Sequence, residues 1–180
     1  SHHMELVPSL EQNGIKVIAL DFVYKENYYK IARVYTALTG REDLYETNVK
    51  QVNENIEKII ADSPIDKNYK VLLIMASGKS ITARGTDSYV GEMLKDLHTT
   101  NIADVSNNVL SETSFSMEKI IEEDPDFIFV QTTGSDMDVV YDKLKKDVES
   151  NPAWASLQAV QNDRYIFLPK DLYMYKANQR

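Results

Sequence analysis

The chain has 180 residues, a net charge of −8 at pH 7 and no cysteine. This length suits one domain, or one lobe of a larger protein, and is enough to bury a hydrophobic core. The acidic balance argues against a nucleic-acid-binding protein, which would present a basic surface. The lack of cysteine excludes disulfides, thiol catalysis and zinc–thiolate sites. No apolar run approaches membrane-spanning length, and residues 1–4, Ser-His-His-Met, resemble an expression-tag remnant.

The first half of the chain alternates between strand and helix patterns. In order, the predicted elements are a strand at 14–22, a helix at 26–38, a helix at 42–61 and a strand at 70–75. Gly40 suits the C-cap of the first helix, and Pro64 marks the end of the second. A loop is predicted from the second strand through Gly85.

The second half continues the same alternation. Its predicted elements are helices at 88–97, 116–123 and 137–149 and strands at 127–131 and 164–168, with an irregular stretch at 99–115 that holds a short strand near Ile102. Ser116 is predicted to cap its helix through the hydroxyl, and Pro125 to end it. Alternating strands and helices predict an α/β fold, a three-layer sandwich with a mostly parallel sheet.

Two segments in the last third of the chain carry a family resemblance. Ser116-Met-Glu-Lys-Ile-Ile leads to Pro125-Asp-Phe-Ile-Phe-Val, and Trp154-Ala-Ser-Leu-Gln-Ala-Val-Gln-Asn-Asp-Arg-Tyr follows. In this order and spacing they resemble the C-terminal lobe of the bacterial substrate-binding proteins that feed iron–siderophore, haem and cobalamin ABC importers. The resemblance is close from Ser116 to Pro169 and extends more loosely back to Ile15.

The resemblance implies a domain organisation, because two lobes in that family are joined by one long helix. The implied parts are the end of the N-terminal lobe at 5–40, the inter-lobe helix at 41–63, and the C-terminal lobe at 64–180, truncated before its last helix. Both ends are then expected to be cut. Residues 5–40 would either repack on the lobe or pair with a second copy, giving a homodimer.

The resemblance also implies a function. The expected protein is an extracytoplasmic solute-binding protein, periplasmic or lipid-anchored on the outer face of the cytoplasmic membrane, that delivers a ferric siderophore to an ABC importer permease. Haem or a corrinoid is the alternative ligand, and no cofactor is expected besides the ligand. An unrecognised α/β enzyme stays open as a further alternative, although the sequence has no Gly-x-Ser-x-Gly elbow and its carboxylates form no pattern with histidine.

Candidate ligand contacts follow the predicted strands, because ligands of open parallel sheets bind at the carboxyl ends of the strands. These ends fall at 77–85, 132–136 and 170–175. The last segment also carries Lys170, and the cations and tyrosines taken as candidate contacts, with one tyrosine at the start of the next helix, are Lys79, Arg84, Tyr89, Tyr173 and Tyr175. Such side chains suit an anionic, aromatic ligand such as a ferric catecholate, and the resemblance implies an arginine or aromatic contact near Arg84 and Tyr89. The alternative is a solvated loop with ordinary surface charges.

Glu118 is the candidate for contact with the permease. It occupies the second position of a predicted helix, where the helix dipole already favours a carboxylate. The resemblance implies more, because a glutamate at this motif position projects from the lobe and pairs with an arginine of the permease. Its neighbours Glu122 and Glu123 are interpreted as a solvated face.

Three further features receive ordinary interpretations. Met75-Ala-Ser-Gly-Lys-Ser has Leu73 where a phosphate-binding loop needs glycine, so it is interpreted as a turn. His98 is the one histidine outside the tag segment, which is too few for a metal site, and it is interpreted as a cation capping a helix C-terminus. Trp154 is predicted to anchor a helical turn against the sheet.

Overall fold

A computed structural model of the protein describes residues 2–20, 25–105 and 116–173. The chain forms two compact units, Ser1–Asn55 and Ile56–Arg180, which are described separately. None of the helices in the described ranges is long and apolar enough to cross a membrane.

The first unit is helical. A 3₁₀ turn (His2–Leu6) runs into α1 (Val7–Gln12), α2 spans Lys25–Thr39, and α3 (Glu42–Tyr45) continues through a π-helical turn (Glu46–Lys50) into α4 (Gln51–Ala61), whose last residues belong to the second unit. The predicted helices at 26–38 and 42–61 are confirmed. Gly40 follows α2 with a φ of +66°, the left-handed conformation that glycine adopts without strain.

The predicted strand at 14–22 is wrong over its described part. Residues 15–20 have no regular secondary structure, and Ile15, Ile18 and Leu20 are exposed. An apolar run predicts burial, but a strand also needs a neighbour to satisfy its backbone hydrogen bonds, and no described residue pairs with this segment. The end of the predicted strand, at residues 21–22, lies outside the described residues.

The second unit is built on a sheet. Its strands within the described residues are β1 (Lys70–Ser77), β2 (Ile81–Ala83), β3 (Thr100–Asn101), β4 (Phe127–Thr133) and β5 (Tyr165–Phe167). They are ordered β2-β1-β4-β5, with β3 also paired to β1. The pairings of β1 with β4, of β4 with β5 and of β1 with β3 are parallel, and only the β1–β2 hairpin is antiparallel. The predicted mostly parallel sheet is confirmed.

Helices cover both faces of this sheet. They are α5 (Tyr89–Asp96), α6 (Ile102–Val105), α7 (Met117–Glu123), α8 (Met137–Leu144) with a π-helical extension (Lys145–Glu149), a 3₁₀ turn (Trp154–Ser156), α9 (Gln158–Gln161) and α10 (Lys170–Tyr173). Because successive strand residues point to opposite faces, Leu72 and Ile74 of β1 enter one apolar cluster with α7, α8 and α9. Val71 and Leu73 enter a second cluster with α5. Two cores on either side of one sheet give the predicted three layers.

Several local predictions are corrected by the structure. The segment predicted as a loop through Gly85 contains β2, whose three residues form a strand because they pair with β1. The short strand expected near Ile102 ends at Asn101, and α6 begins at Ile102 itself. Ser116 is the N-cap residue of α7, but its side chain makes no capping hydrogen bond.

Two single-residue predictions are confirmed in position. His98 follows the end of α5 with a φ of +59°, and its backbone N–H donates to the Lys95 carbonyl at 2.9 Å. Trp154 is 3% exposed, and its ring meets that of Tyr165 edge-on with 5.2 Å between centroids. This packing joins the 3₁₀ turn to β5, as expected of an anchor.

Candidate functional site

A cleft of about 340 Å³ lies where β1 and β4 end side by side. Ser77 and Thr133, the last residues of the two strands, are paired in the sheet. The cleft is lined by Ser77, Gly78, Lys79, Thr133, Gly134, Ser135, Asp136 and Val139. Two connections therefore form its walls: the turn between β1 and β2, and the loop between β4 and α8. This is the edge at which parallel sheets bind ligands.

The β1–β2 turn is held by Ser77. Its Oγ accepts hydrogen bonds from the backbone N–H groups of Lys79 at 3.2 Å and Ser80 at 2.9 Å. Its own N–H donates to the Ser80 carbonyl at 2.9 Å. These bonds close the turn with Lys79 at its exposed tip, so a flexible cation stands at one wall of the cleft.

The β4–α8 loop is held by a helix cap and by a lysine. Asp136 accepts from the N–H groups of Asp138 at 3.1 Å and Val139 at 3.3 Å, a cap that a carboxylate provides well at the positive end of a helix. The ammonium of Lys170 donates to the carbonyl of Gly134. Both connections converge at Gly78, where a Cβ would lie 3.1 Å from Cγ1 of Val139.

The lining of the cleft combines hydrogen-bond donors with apolar surface and one carboxylate. Hydroxyl groups of Thr133 and Ser135 and the ammonium of Lys79 offer hydrogen-bond donors, whereas the Ser77 hydroxyl donates to the Ser80 carbonyl at 3.1 Å. The Asp136 carboxylate is engaged by backbone N–H groups, and Val139 supplies an apolar patch that is 47% exposed. Within the described ranges, no group of three or more histidine, aspartate or glutamate residues could hold a metal ion.

The predicted contacts Arg84 and Tyr89 are not among the residues that line this cleft. The backbone N–H of Arg84 donates to the Leu73 carbonyl at 2.8 Å, which puts Arg84 next to the middle of β1. Tyr89 begins α5 and packs on the apolar cluster of Val71 and Leu73. Both residues are half-buried, and their contact with a ligand stays a prediction.

The other predicted contacts divide between the two locations. Lys79 lines the cleft. Tyr173 packs against the same apolar cluster as Tyr89, and its carbonyl accepts from Nε2 of Gln131 at 3.1 Å. Tyr175 lies outside the described residues. For all three, ligand contact stays a prediction.

Glu118 is the second residue of α7 and is exposed. The other acids of this helix have partners: Glu122 pairs with Lys119, and Glu123 pairs with Lys70 at 3.0 Å. Glu118 has no ion-pair partner among the described residues. The permease contact proposed for it by resemblance stays a prediction.

Sequence reasoning missed part of the cleft. Val139 lies on the first turn of α8. An apolar residue in a helix is normally interpreted as part of the core, so the sequence does not indicate that Val139 is exposed. Asp136 could have been found, since an aspartate just before an apolar helical pattern is an N-cap signal. The sequence predicts Gly78 only as part of a turn, because its close approach to α8 depends on the tertiary fold.

Comparison with known proteins gives the family. The family described as "Periplasmic binding protein" matches residues 5–172. The Fe(3+)-citrate-binding protein YfmC of Bacillus subtilis (strain 168) is 26% identical over 159 residues, 88% of this chain and 47% of that protein. The iron-uptake system-binding protein of the same organism is 32% identical over 148 residues, 78% of this chain and 43% of that protein.

The fold is shared with solved structures. The periplasmic catecholate-siderophore binding protein VctP from Vibrio cholerae superposes with a TM-score of 0.71 at 20% identity, covering 97% of this chain and 62% of that one. The chain spans about half the length of the curated relatives that it matches. With the family match extending over almost all of its residues, the chain belongs to the periplasmic binding protein family.

Proposed function

We propose that the protein containing this chain is an extracytoplasmic solute-binding protein that captures a ferric siderophore or similar iron chelate and delivers it to an ABC importer permease. The proposal rests on the sequence similarity to two relatives, an Fe(3+)-citrate-binding protein and an iron-uptake system-binding protein. They are 26% and 32% identical to this chain over most of its length. Haem or a corrinoid is the alternative cargo of the same fold.

The cleft supports capture of an anionic chelate. It is open to solvent, and its lining combines the Lys79 ammonium with the hydroxyl groups of Thr133 and Ser135. An ammonium forms strong hydrogen bonds to carboxylate or catecholate oxygens, and the hydroxyls can adapt to a ligand with many oxygens. A second lobe closing over this edge would remove water from the ligand and strengthen these bonds.

Three predicted contacts outside the cleft lining would add aromatic and cationic groups. Arg84, Tyr89 and Tyr173 are half-buried, so each keeps accessible surface. A guanidinium would neutralise the ligand's charge, and tyrosine rings would stack on catechol rings. We propose Tyr175, which follows α10 in sequence, as a further contact of the same kind.

Delivery would require a surface that the permease recognises. We propose Glu118 for this role, because it is an exposed carboxylate without an ion-pair partner in the described part of the chain. The helix of residues 42–61 would connect the lobes, and a lipid anchor would hold the protein near the membrane in an organism without a periplasm.

The test is titration of the full-length natural protein with a ferric triscatecholate, ferric citrate, haem and cobalamin, followed by quenching of tryptophan and tyrosine fluorescence. We expect at least one ferric chelate to bind with a Kd at or below about 1 μM, and haem and cobalamin to bind at least tenfold more weakly. Tighter binding of haem or cobalamin would establish the alternative. No binding of any of the four would overturn the proposal.

A further inference from the structure

The loop of residues 84–88, here called the 84–88 loop, is fixed at both ends. At its start, the N–H of Arg84 donates to Leu73 of β1 at 2.8 Å. At its end, Ser88 caps α5: its Oγ donates to the Gly85 carbonyl at 2.7 Å and accepts from the N–H of Gly91 at 3.2 Å. The loop thus leads from Arg84 to Tyr89 along one defined path.

Asn101 holds the start of this loop from a neighbouring strand. It is 3% exposed at the end of β3. Its Nδ2 donates to the Arg84 carbonyl at 2.8 Å, and its Oδ1 accepts from the N–H of Ala103 at 3.0 Å. Both halves of the amide are used, so neither an aspartate nor an apolar residue can make the same two bonds.

Asp104 holds the middle of the loop from α6. Its two carboxylate oxygens accept from the N–H of Thr86 at 3.1 and 3.2 Å. The approach depends on glycine: a Cβ at Gly85 would overlap Oδ1 of Asp104, and a Cβ at Gly91 would overlap the Gly85 carbonyl. The 84–88 loop, α5 and the Asp104 carboxylate are therefore packed so closely that only glycine fits at positions 85 and 91.

We propose that Asn101 and Asp104 are positioning residues that hold the 84–88 loop in its ligand-ready conformation before a ligand arrives. Neither side chain needs to touch the ligand. A loop that is already ordered loses less conformational entropy on binding, so affinity rises without an added contact. The inference rests on the proposed roles of Arg84 and Tyr89 in ligand binding.

The alternative is that the two residues only stabilise the fold. A purely stabilising residue would lower the melting temperature without changing the affinity of the folded protein. A positioning residue acts through Arg84 and Tyr89, so its effect on affinity should vanish when those contacts have been removed. A double-mutant cycle separates the two cases.

The experiment uses the full-length protein with Asp104→Ala, Asp104→Asn, Asn101→Ala and the control Val148→Ala. Val148 lies in the π-helical extension of α8 and is buried, so its truncation destabilises the fold without removing a hydrogen bond of the loop. The affinity for ferric triscatecholate and ferric citrate is measured by fluorescence, and the exchange of the Thr86 amide hydrogen is measured in the ligand-free protein.

We expect Asp104→Ala and Asn101→Ala each to weaken chelate binding by about tenfold, the effect of one lost hydrogen bond. Asp104→Asn should stay within about threefold of wild type, because its amide oxygen can still accept from Thr86. Val148→Ala should bind as wild type despite a lower melting temperature. Amide exchange at Thr86 should accelerate at least tenfold in Asp104→Ala and remain unchanged in Val148→Ala.

The cycle adds Asp104→Ala to a protein already carrying Arg84→Ala and Tyr89→Ala, where we expect no further loss of affinity. Full additivity, or unchanged Thr86 exchange in Asp104→Ala, would overturn the positioning role. Wild-type protein that binds no chelate, or Arg84→Ala and Tyr89→Ala proteins that bind as wild type, would instead overturn the proposed ligand contacts. The exchange measurement then decides, without ligand, whether Asp104 orders the loop.

Discussion

The hydroxyl of Tyr165 donates to Oε1 of Glu149 at 3.0 Å, and this bond ties β5 to the π-helical extension of α8. The ring of Tyr165 is packed edge-on against Trp154. Burial raises the pKa of the Tyr165 phenol far above its usual range, and the nearby charge of Glu149 and the hydrogen bond to it raise this pKa further. The neutral phenol is therefore part of the folded structure.

We expect the folded protein to lose stability as the pH rises above about 10. The unfolded tyrosine ionises near pH 10, whereas the folded one resists ionisation, so the contribution of Tyr165 is complete below that pH and declines above it. The measurement is the free energy of unfolding in urea at pH 8, 9.5 and 11. In Tyr165→Phe the decline above pH 10 should be shallower than in wild type; an identical decline would contradict the assignment.

Gly91→Ala should destabilise the protein even though Gly91 lies within a helix. Alanine normally stabilises a helix by about 1 kcal/mol relative to glycine, but here its Cβ would overlap the carbonyl of Gly85. We expect a net loss of about 1–3 kcal/mol from overpacking, measured by urea denaturation. Gly78→Ala is the control, because the added Cβ would meet only the half-exposed side chain of Val139 at 3.1 Å. A Gly91→Ala protein as stable as wild type would show that the loop can move away.

The parts of the fold that could be predicted are those whose structure is determined by residues close together in the sequence. β1 and β4 were predicted because their apolar runs are too short for a helix, and the parallel sheet buries both faces of such runs. The end of α2 was found because Gly40 favours the left-handed conformation observed there. His98 adopts a similar conformation at the end of α5, and its place at a helix end was also predicted.

The parts that were missed depend on partners distant in sequence. β2 has three residues and becomes a strand only by pairing with β1. The residues at 15–20 carry the apolar run of a strand but have no strand partner in the described part of the chain. Asn101 reaches the loop across 17 residues and Asp104 across 18. No local pattern distinguishes such a residue from an ordinary polar residue near the end of a strand.

The two helix N-caps of α7 and α8 should differ in their effect on stability. Asp136 accepts from two N–H groups at the start of α8, whereas Ser116 makes no side-chain bond at the start of α7. We expect Asp136→Ala to cost about 1 kcal/mol of unfolding free energy and Ser116→Ala to cost close to none. Chemical denaturation of both variants against wild type makes the comparison, and equal losses would contradict it.

Lys79 should govern the affinity of the cleft for an anionic chelate. Reversing its charge in Lys79→Glu removes a charge-assisted hydrogen bond and adds repulsion, so we expect binding of the ferric chelate to weaken by at least about tenfold. Lys67→Glu is the matched control, because Lys67 is exposed and precedes β1, at the opposite end of the strand from the cleft. Equal effects of the two changes would show that Lys79 contributes only to the overall charge.

Glu118→Lys should abolish import of the iron chelate while leaving chelate binding and thermal stability unchanged. The carboxylate is exposed and has no ion-pair partner in the described ranges, so reversing its charge breaks no ion pair within them. It would, however, place a cation against the arginine proposed on the permease, and like charges at an interface oppose association. Uptake of radioactive ferric chelate by cells carrying the variant measures the effect.

Glu122→Lys provides the control on the same helix with the same change of charge. Glu122 pairs with Lys119, and breaking one exposed ion pair costs less than about 1 kcal/mol, so uptake should stay within about twofold of wild type. If both variants abolish uptake, the permease responds to the charge of the whole helix and not to Glu118. If Glu118→Lys also loses chelate binding, the residue acts on the lobe itself.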